Sequence, residues 1–195
     1  MNIESKIGDK GLYIINCLDK EHLHQLLKLD ESLTKQEMIH YYLSVFSFEQ
    51  NPDLTNYLNI SVRSAILEYL KEFGGDISDY LMSSDYKIAT WKIGVTMWPH
   101  VDTKRDIDYK QALGPRPSIT GLSYLTDDYD GGEIIFPGFN ISIKPKAGSV
   151  ILFDSTLEHG VNEVKSGDRK TLAHNLQSIS DHDIEEFKAD GWRYP

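Results

Sequence analysis

Trp98-Pro-His-Val-Asp102 decides how the rest of the chain is read. The run is strand-like, and alternate residues of a strand point to one face, so His100 and Asp102 meet there while Val101 turns toward the core. An imidazole and a carboxylate held together in this way make half of a metal site. The isolated tripeptide is a weak signal, because a strand-end histidine is commonly a surface residue; the sequence around it has to supply the remaining ligand.

Outward from this stretch the chain has two textures. Upstream, Gly11-Leu-Tyr-Ile-Ile-Asn-Cys17 predicts an edge strand, and Asp19 is an N-cap for a helix to about Lys28. Thr34-Lys-Gln-Glu37 has the form of a capping box and precedes Met38, Ile39, Tyr42, Val45 and Phe46 at helical spacing, which predicts a second helix. A third is expected over 59–73, with Ile66, Leu70 and Phe73 on its buried stripe and Gly74-Gly75 as its stop. From residue 85 the period shortens. Lys87–Trp98, Ile119–Leu125, Glu133–Phe136, Ile141–Ile143, Ser149–Phe153, Gly160–Val164 and Thr171–Ser178 read as short strands separated by Gly, Pro and Asp turns.

These patterns predict a single domain over 1–195, mostly β with packed α-helices. Residues 1–84 form a helical N-terminal support, 85–178 a β core of sandwich or barrel type, and 179–195 a tail with a short helix over Asp181–Ala189. Thr103–Ser118 is too long for an ordinary connection and follows Asp102 directly, so it reads as either a lid over the site or a disordered segment.

Composition narrows the function classes. With 40% hydrophobic and 26% charged residues the chain is an ordinary globular protein, and a formal net charge of -10 argues against nucleic acid and anionic membrane as partners. Cys17 is the single cysteine, so an intrachain disulfide is impossible and a reducing, cytoplasmic setting is expected. No segment approaches a membrane span in length, and the oligomeric state is not legible.

His159, at the start of a strand-like run, is the candidate second histidine. Two histidines and one carboxylate with open positions suit non-haem Fe(II). Ten residues on, Arg169 opens another strand, where its guanidinium can clamp a carboxylate bidentately; Thr171 faces the same way and Lys170 the opposite way. Ligand type alone leaves zinc open, while the Arg-Thr anion site beside the metal favours iron with a keto acid. Asp128, Asp130 and Gly131 imitate part of a calcium loop, but Thr126 and Pro137 fill its first and twelfth positions, so a turn is the better reading. His22, His24, His40 and His182 are expected on helix surfaces, and His174 as a satisfied core or pocket residue.

His100-x-Asp102, Thr120-Gly-Leu-Ser-Tyr-Leu125, Gly131-Gly-Glu-Ile-Ile-Phe-Pro137, Pro145-Lys-Ala-Gly148, Leu152-Phe-Asp154, His159 and Gly167-Asp-Arg169 stand in an order and spacing that resemble the 2-oxoglutarate- and Fe(II)-dependent dioxygenases, within them the prolyl 4-hydroxylase branch. The resemblance covers residues 85–178. It implies a double-stranded β-helix (jelly-roll, cupin-like) with N-terminal helices. It implies His100, Asp102 and His159 as Fe(II) ligands, and Arg169 on the distal carboxylate of 2-oxoglutarate with Tyr124 and Thr171 assisting. Three iron positions then remain for the keto acid and O2, with ascorbate as reductant. The implied reaction is hydroxylation of a C–H bond, in a prolyl residue of a protein or peptide. A free amino acid or small metabolite is the alternative substrate, and a catalytically silent cupin-like module the alternative class. Trp91, Met97 and Asn175 depart from the Tyr, Tyr and Trp common at these family positions, which reshapes the pockets.

Overall fold

The computed structural model describes residues 2–7, 11–83, 85–102, 118–178 and 192–193. The expected lid over 103–118 lies outside the described residues except for Ser118, and the expected helix over 181–189 and His182 lie outside them entirely. In chain order the elements are β1 (Asn2–Ile7), β2 (Leu12–Asn16), α1 (Lys20–Ser32), β3 (Gln36–Glu37), β4 (Tyr41–Phe46), α2 (Pro52–Phe73), a 3-10 turn (Ile77–Asp79), β5 (Tyr80–Ser83), β6 (Tyr86–Trp91) and β7 (Met97–His100). Then come β8 (Ile119–Tyr124), β9 (Asp130–Gly131), β10 (Ile134–Phe136), a second 3-10 turn (Pro137–Phe139), β11 (Ile141–Ile143), β12 (Ser149–Asp154), β13 (His159–Val161), β14 (Val164–Ser166), β15 (Lys170–Ser178) and β16 (Trp192–Arg193).

Among the described residues, ten strands form a major sheet in the order β1-β2-β12-β8-β15-β6-β4-β3, with β5 joining β15 and β16 joining β5. A four-stranded minor sheet runs β11-β10-β13-β7, and β14 pairs with β9. The pairings are antiparallel, and the two sheets face each other as a double-stranded β-helix.

Period-two alternation sorts the central strands of the major sheet between its two faces. One set, Ile15, Val150, Leu152, Ile119 and Leu176, packs on Val62, Ala65, Ile66, Tyr69 and Leu70 of α2. Beside it, Phe46, Ile88 and Leu172 pack on Leu23 and Leu26 of α1 and Leu54 and Leu58 of α2. The opposite set, Leu12, Ile14, Tyr124, Ile151 and Phe153, meets Ile134 and Phe136 of the minor sheet. Full burial of each such side chain contributes about 1.5–3 kcal/mol, so the major sheet is held from both faces and its inward side chains have little freedom.

Several expectations need correction. The Leu12–Asn16 strand is not an edge, since β1 and β12 flank it. Residues 1–84 are not simply a helical support: β1 to β5 belong to the same sheet as the core strands. No helix follows Thr34-Lys-Gln-Glu37. Residues 41–46 are β4, paired residue by residue with β6 from Tyr41↔Trp91 to Phe46↔Tyr86, and His40 precedes that strand. Aromatic and β-branched side chains finding cross-strand partners outweighed a local capping signal. Helix α1 does start at the Asp19 cap, whose side chain accepts from the His22 amide at 3.0 Å, but runs a turn past Lys28. The long helix starts seven residues earlier than expected, because Asn51 caps it and Pro52 occupies its first turn. It ends at Gly74 as expected, at φ +88°. The expected strand over 87–98 is two strands in different sheets, hinged at Gly94 with φ +79°, and the run 160–164 likewise divides between β13 and β14.

Candidate metal centre and anion pocket

The pairing of β7 with β13 sets His100 directly opposite His159. Gly160 permits this close crossing, because a Cβ there would lie 2.7 Å from the Met97 carbonyl oxygen. Asp102 follows β7 and is tied by its amide to the Ser155 carbonyl at 3.0 Å. The donor atoms of His100, Asp102 and His159 all lie within 4.8 Å of one another, an arrangement that could hold a metal ion. His100 Nε2 is 3.6 Å from Asp102 Oδ1 and His159 Nε2 is 3.7 Å from Asp102 Oδ2. Both gaps are too long for hydrogen bonds and suit donors sharing one cation, which at ~2.1 Å per bond stand roughly 3–4 Å apart.

The surroundings orient each donor. His100 Nδ1 donates to the Trp98 carbonyl and His159 Nδ1 to the Leu157 carbonyl, each at 3.0 Å. These bonds place the proton on Nδ1 and leave both Nε2 lone pairs facing Asp102. Thr120 Oγ1 donates to Asp102 Oδ2 at 2.6 Å and is itself 2.9 Å from Ser155 Oγ. The buried His159 ring stacks edge-on against Phe153 with centroids 4.7 Å apart. Burial raises Asp102, yet His100, His159 and Thr120 together hold its carboxyl below the usual value. The adjacent Asp102 carboxylate raises His100, whereas burial lowers His159, which keeps that imidazole neutral and able to ligate.

A second constellation lies where β15 begins. Arg169 has no exposed surface. Its Nε donates to the Gly132 carbonyl at 2.8 Å, one terminal nitrogen donates to the Tyr124 hydroxyl at 3.1 Å, and its guanidinium carbon sits 4.4 Å from the centre of the Trp91 ring. The other terminal nitrogen, Nη1, is buried with no partner. A buried guanidinium with one orphaned donor is a vacancy in the hydrogen-bond account, and a carboxylate is the anion whose geometry fills it. Thr171 shares this face. Its Oγ1 accepts from Trp91 Nε1 at 3.2 Å, which leaves its own hydroxyl proton to give. Trp91, singled out above as a departure, thus acts as the wall on which Arg169 rests.

All six candidate residues lie in or beside the described strands: His100, Asp102 and His159 come together, as do Arg169, Tyr124 and Thr171. Sequence reasoning missed Thr120 and Ser155, which orient Asp102, and Tyr129, which flanks Arg169; only the alternation Thr120, Leu122, Tyr124 along β8 signalled the first of these. His174 lies on the helix-facing side, bonded to Ser123 Oγ at 2.7 Å, a satisfied core residue. Asp130 accepts from Ser166 Oγ at 3.0 Å where the short strand β9 pairs with β14, so Asp130 and Gly131 form a strand bridge where a turn was expected.

Residues 86–177 match the model of the 2OG-Fe(II) oxygenase superfamily. This segment is similar to that family. A PKHD-type hydroxylase of Gluconacetobacter diazotrophicus is 32% identical over 90 residues, 44% of this chain and 40% of that protein. Human prolyl 4-hydroxylase subunit alpha-1 is 26% identical over 157 residues, 79% of this chain and 28% of that subunit. The chain therefore spans less than half the length of these curated relatives. The viral collagen prolyl hydroxylase of Paramecium bursaria Chlorella virus-1, in its 2-oxoglutarate complex, has the same fold, with TM-score 0.68 and 21% identity, over 89% of this chain and 99% of that one. Among the described residues no helix is long and apolar enough to cross a membrane.

Proposed function

We propose that this chain is an Fe(II)- and 2-oxoglutarate-dependent oxygenase that hydroxylates a C–H bond, in a prolyl residue of a protein or peptide. The observation that carries the reading is the presence of a two-histidine, one-carboxylate cluster on the minor sheet together with a buried, incompletely bonded arginine at the start of β15 in the major sheet. The donor set fits a redox metal that needs open positions, and the orphaned Arg169 Nη1 fits the distal carboxylate of the keto acid. When bound, iron and 2-oxoglutarate supply the oxidation in which O2 gives one atom to the substrate C–H bond and one to succinate, with CO2 released.

The residues of the chain do the positioning. His100, Asp102 and His159 would hold the metal in a geometry locked by the Trp98, Leu157 and Thr120 bonds. Arg169, with Tyr124 and Thr171, would anchor the cosubstrate at its far end, and Trp91 and Phe153 keep the surroundings apolar. A macromolecular substrate is supported by the prolyl hydroxylase relatives and by Trp98. That side chain is 78% exposed and stands two residues before His100. An exposed indole beside the cluster offers a flat platform for an extended, proline-bearing segment. Burial pushes the Cys17 thiol up to about 12, which makes it unreactive, and a single cysteine, with no intrachain disulfide possible, supports a reducing compartment such as the cytoplasm. Strands of residues 1–84 within the major sheet support a single domain over 1–195.

Incubation with Fe(II), 2-oxoglutarate, ascorbate and a panel of proline-containing peptides and free amino acids, read by mass spectrometry for one added oxygen and for succinate, tests the reading. Oxygen gained only by a small molecule would overturn the prolyl part, and no succinate under any condition would overturn the oxygenase.

A further inference from the structure

Tyr129 is 2% exposed, and its hydroxyl is one of five buried side-chain polar atoms among the described residues with no hydrogen-bond partner. Arg169 Nη1 is another. The two side chains flank Gly132, where an added Cβ would lie 2.8 Å from Arg169 Cδ and 3.2 Å from a Tyr129 ring carbon. Gly132 adopts φ +66°, so it is needed both for the turn and for the close approach. The Tyr129 ring is held from its other side by Lys144, whose Nζ lies 4.5 Å from the ring centre and donates to the Tyr129 backbone carbonyl. Burial and the neighbouring Tyr124 raise the phenol, while the charge of Arg169 and its close approach to the hydroxyl, short of a well-formed hydrogen bond, pull the other way, so it stays protonated and able to donate.

A buried hydroxyl and a buried guanidinium N–H, side by side and both unsatisfied, carry a desolvation cost that a bound oxyanion would remove. We infer that Tyr129 is a cosubstrate-positioning residue, donating to the distal carboxylate of 2-oxoglutarate together with Arg169 Nη1 and Tyr124. The inference rests on the oxygenase reading above and extends it to a residue outside the strand that carries Tyr124. It makes Tyr129 a specificity element: it recognises the terminal carboxylate and is indifferent to the rest of the keto acid.

The test is calorimetric titration of the full chain, loaded with Ni(II), against 2-oxoglutarate and against 2-oxopentanoate, the five-carbon keto acid without the terminal carboxylate. Tyr129→Phe removes one oxygen and should weaken 2-oxoglutarate about tenfold while leaving 2-oxopentanoate unchanged. Without keto acid the melting temperature of Tyr129→Phe should equal or exceed that of the wild type, because the deleted hydroxyl has no partner there. Equal weakening of both ligands, no weakening of either, or a lowered melting temperature with unchanged discrimination would overturn the assignment. A wild-type protein that binds neither keto acid would instead remove the oxygenase reading itself.

Discussion

Arg169 and Lys170 are consecutive, yet their charges lie on opposite faces of the major sheet. Arg169 points between the sheets at Tyr124 and Trp91, while Lys170 Nζ meets Asp30 Oδ2 of α1 at 2.7 Å under the helices. Asp30 has no exposed surface and is completed by Ser44 Oγ at 2.7 Å and Lys35 Nζ at 3.3 Å. Burial raises its carboxyl, but the bonds from Lys170 and Ser44 win and its pKa is lowered, so the pair is ionised. Two adjacent cations therefore have separate tasks, one holding the fold and one facing the anion site.

This separation predicts a split between stability and binding. Lys170→Ala leaves a buried carboxylate with only Lys35 for charge and should cost about 3 kcal/mol of unfolding free energy, with 2-oxoglutarate affinity unchanged in the folded protein. Arg169→Ala should weaken 2-oxoglutarate at least tenfold, consistent with about 2–5 kcal/mol for a buried charge-assisted pair. Denaturant unfolding and calorimetry on both variants check the pattern; loss of affinity in Lys170→Ala without loss of stability would contradict it.

Asp102 gives a second prediction. Its carboxylate is the junction between the two histidines and Thr120, so Asp102→Ala should abolish succinate formation and sharply weaken Fe(II) binding. Because Asp102 lies beyond the end of β7, the far-UV spectrum should be unchanged. Full turnover in that variant would remove the residue from the metal set.

Trp98 provides a third. If its indole carries the substrate, Trp98→Ala should raise the peptide KM about tenfold, in line with ~1–1.5 kcal/mol for an aromatic contact, and leave substrate-free oxidation of 2-oxoglutarate unaltered. An unchanged peptide KM would place the substrate elsewhere on the surface.

The legibility of this chain followed the range of the interactions involved. His100-x-Asp102, Arg169 and the β strands from residue 119 onward were readable because a two-residue period and turn residues are local properties. The His159 pairing with His100 is set by register between strands 59 residues apart; the strand-like run after Glu158 made His159 a candidate, but its place opposite His100 is not a local property. Residues 38–46 were misread because their apolar positions satisfy a helical template as well as a strand, and the choice was made by partners on β6 that lie far away in sequence. Tyr129 was invisible for the same reason: in the run Asp127–Gly132 it reads as a turn tyrosine until Gly132 brings Arg169 against it.

His174 yields the last prediction, on pH. Its ring is buried on the helix side of β15 against Ser123, and burial lowers its pKa from the ordinary 6.5 to about 3. Between those values the unfolded chain binds a proton that the folded chain refuses, so stability rises with pH through this window, is complete above 6.5, and falls as the solution is acidified. The slope for one such group is about 1.4 kcal/mol per pH unit. Urea unfolding of the wild type should therefore show a component of about 2 kcal/mol lost between pH 7 and pH 5 that is absent in His174→Gln. The comparison matters more than the absolute curve, since carboxylates such as Asp30 and Asp102 titrate in the acid range in both proteins. Identical losses in the two proteins would mean that His174 takes up its proton in the folded state, through an opening of the β15–β8 region beneath α2.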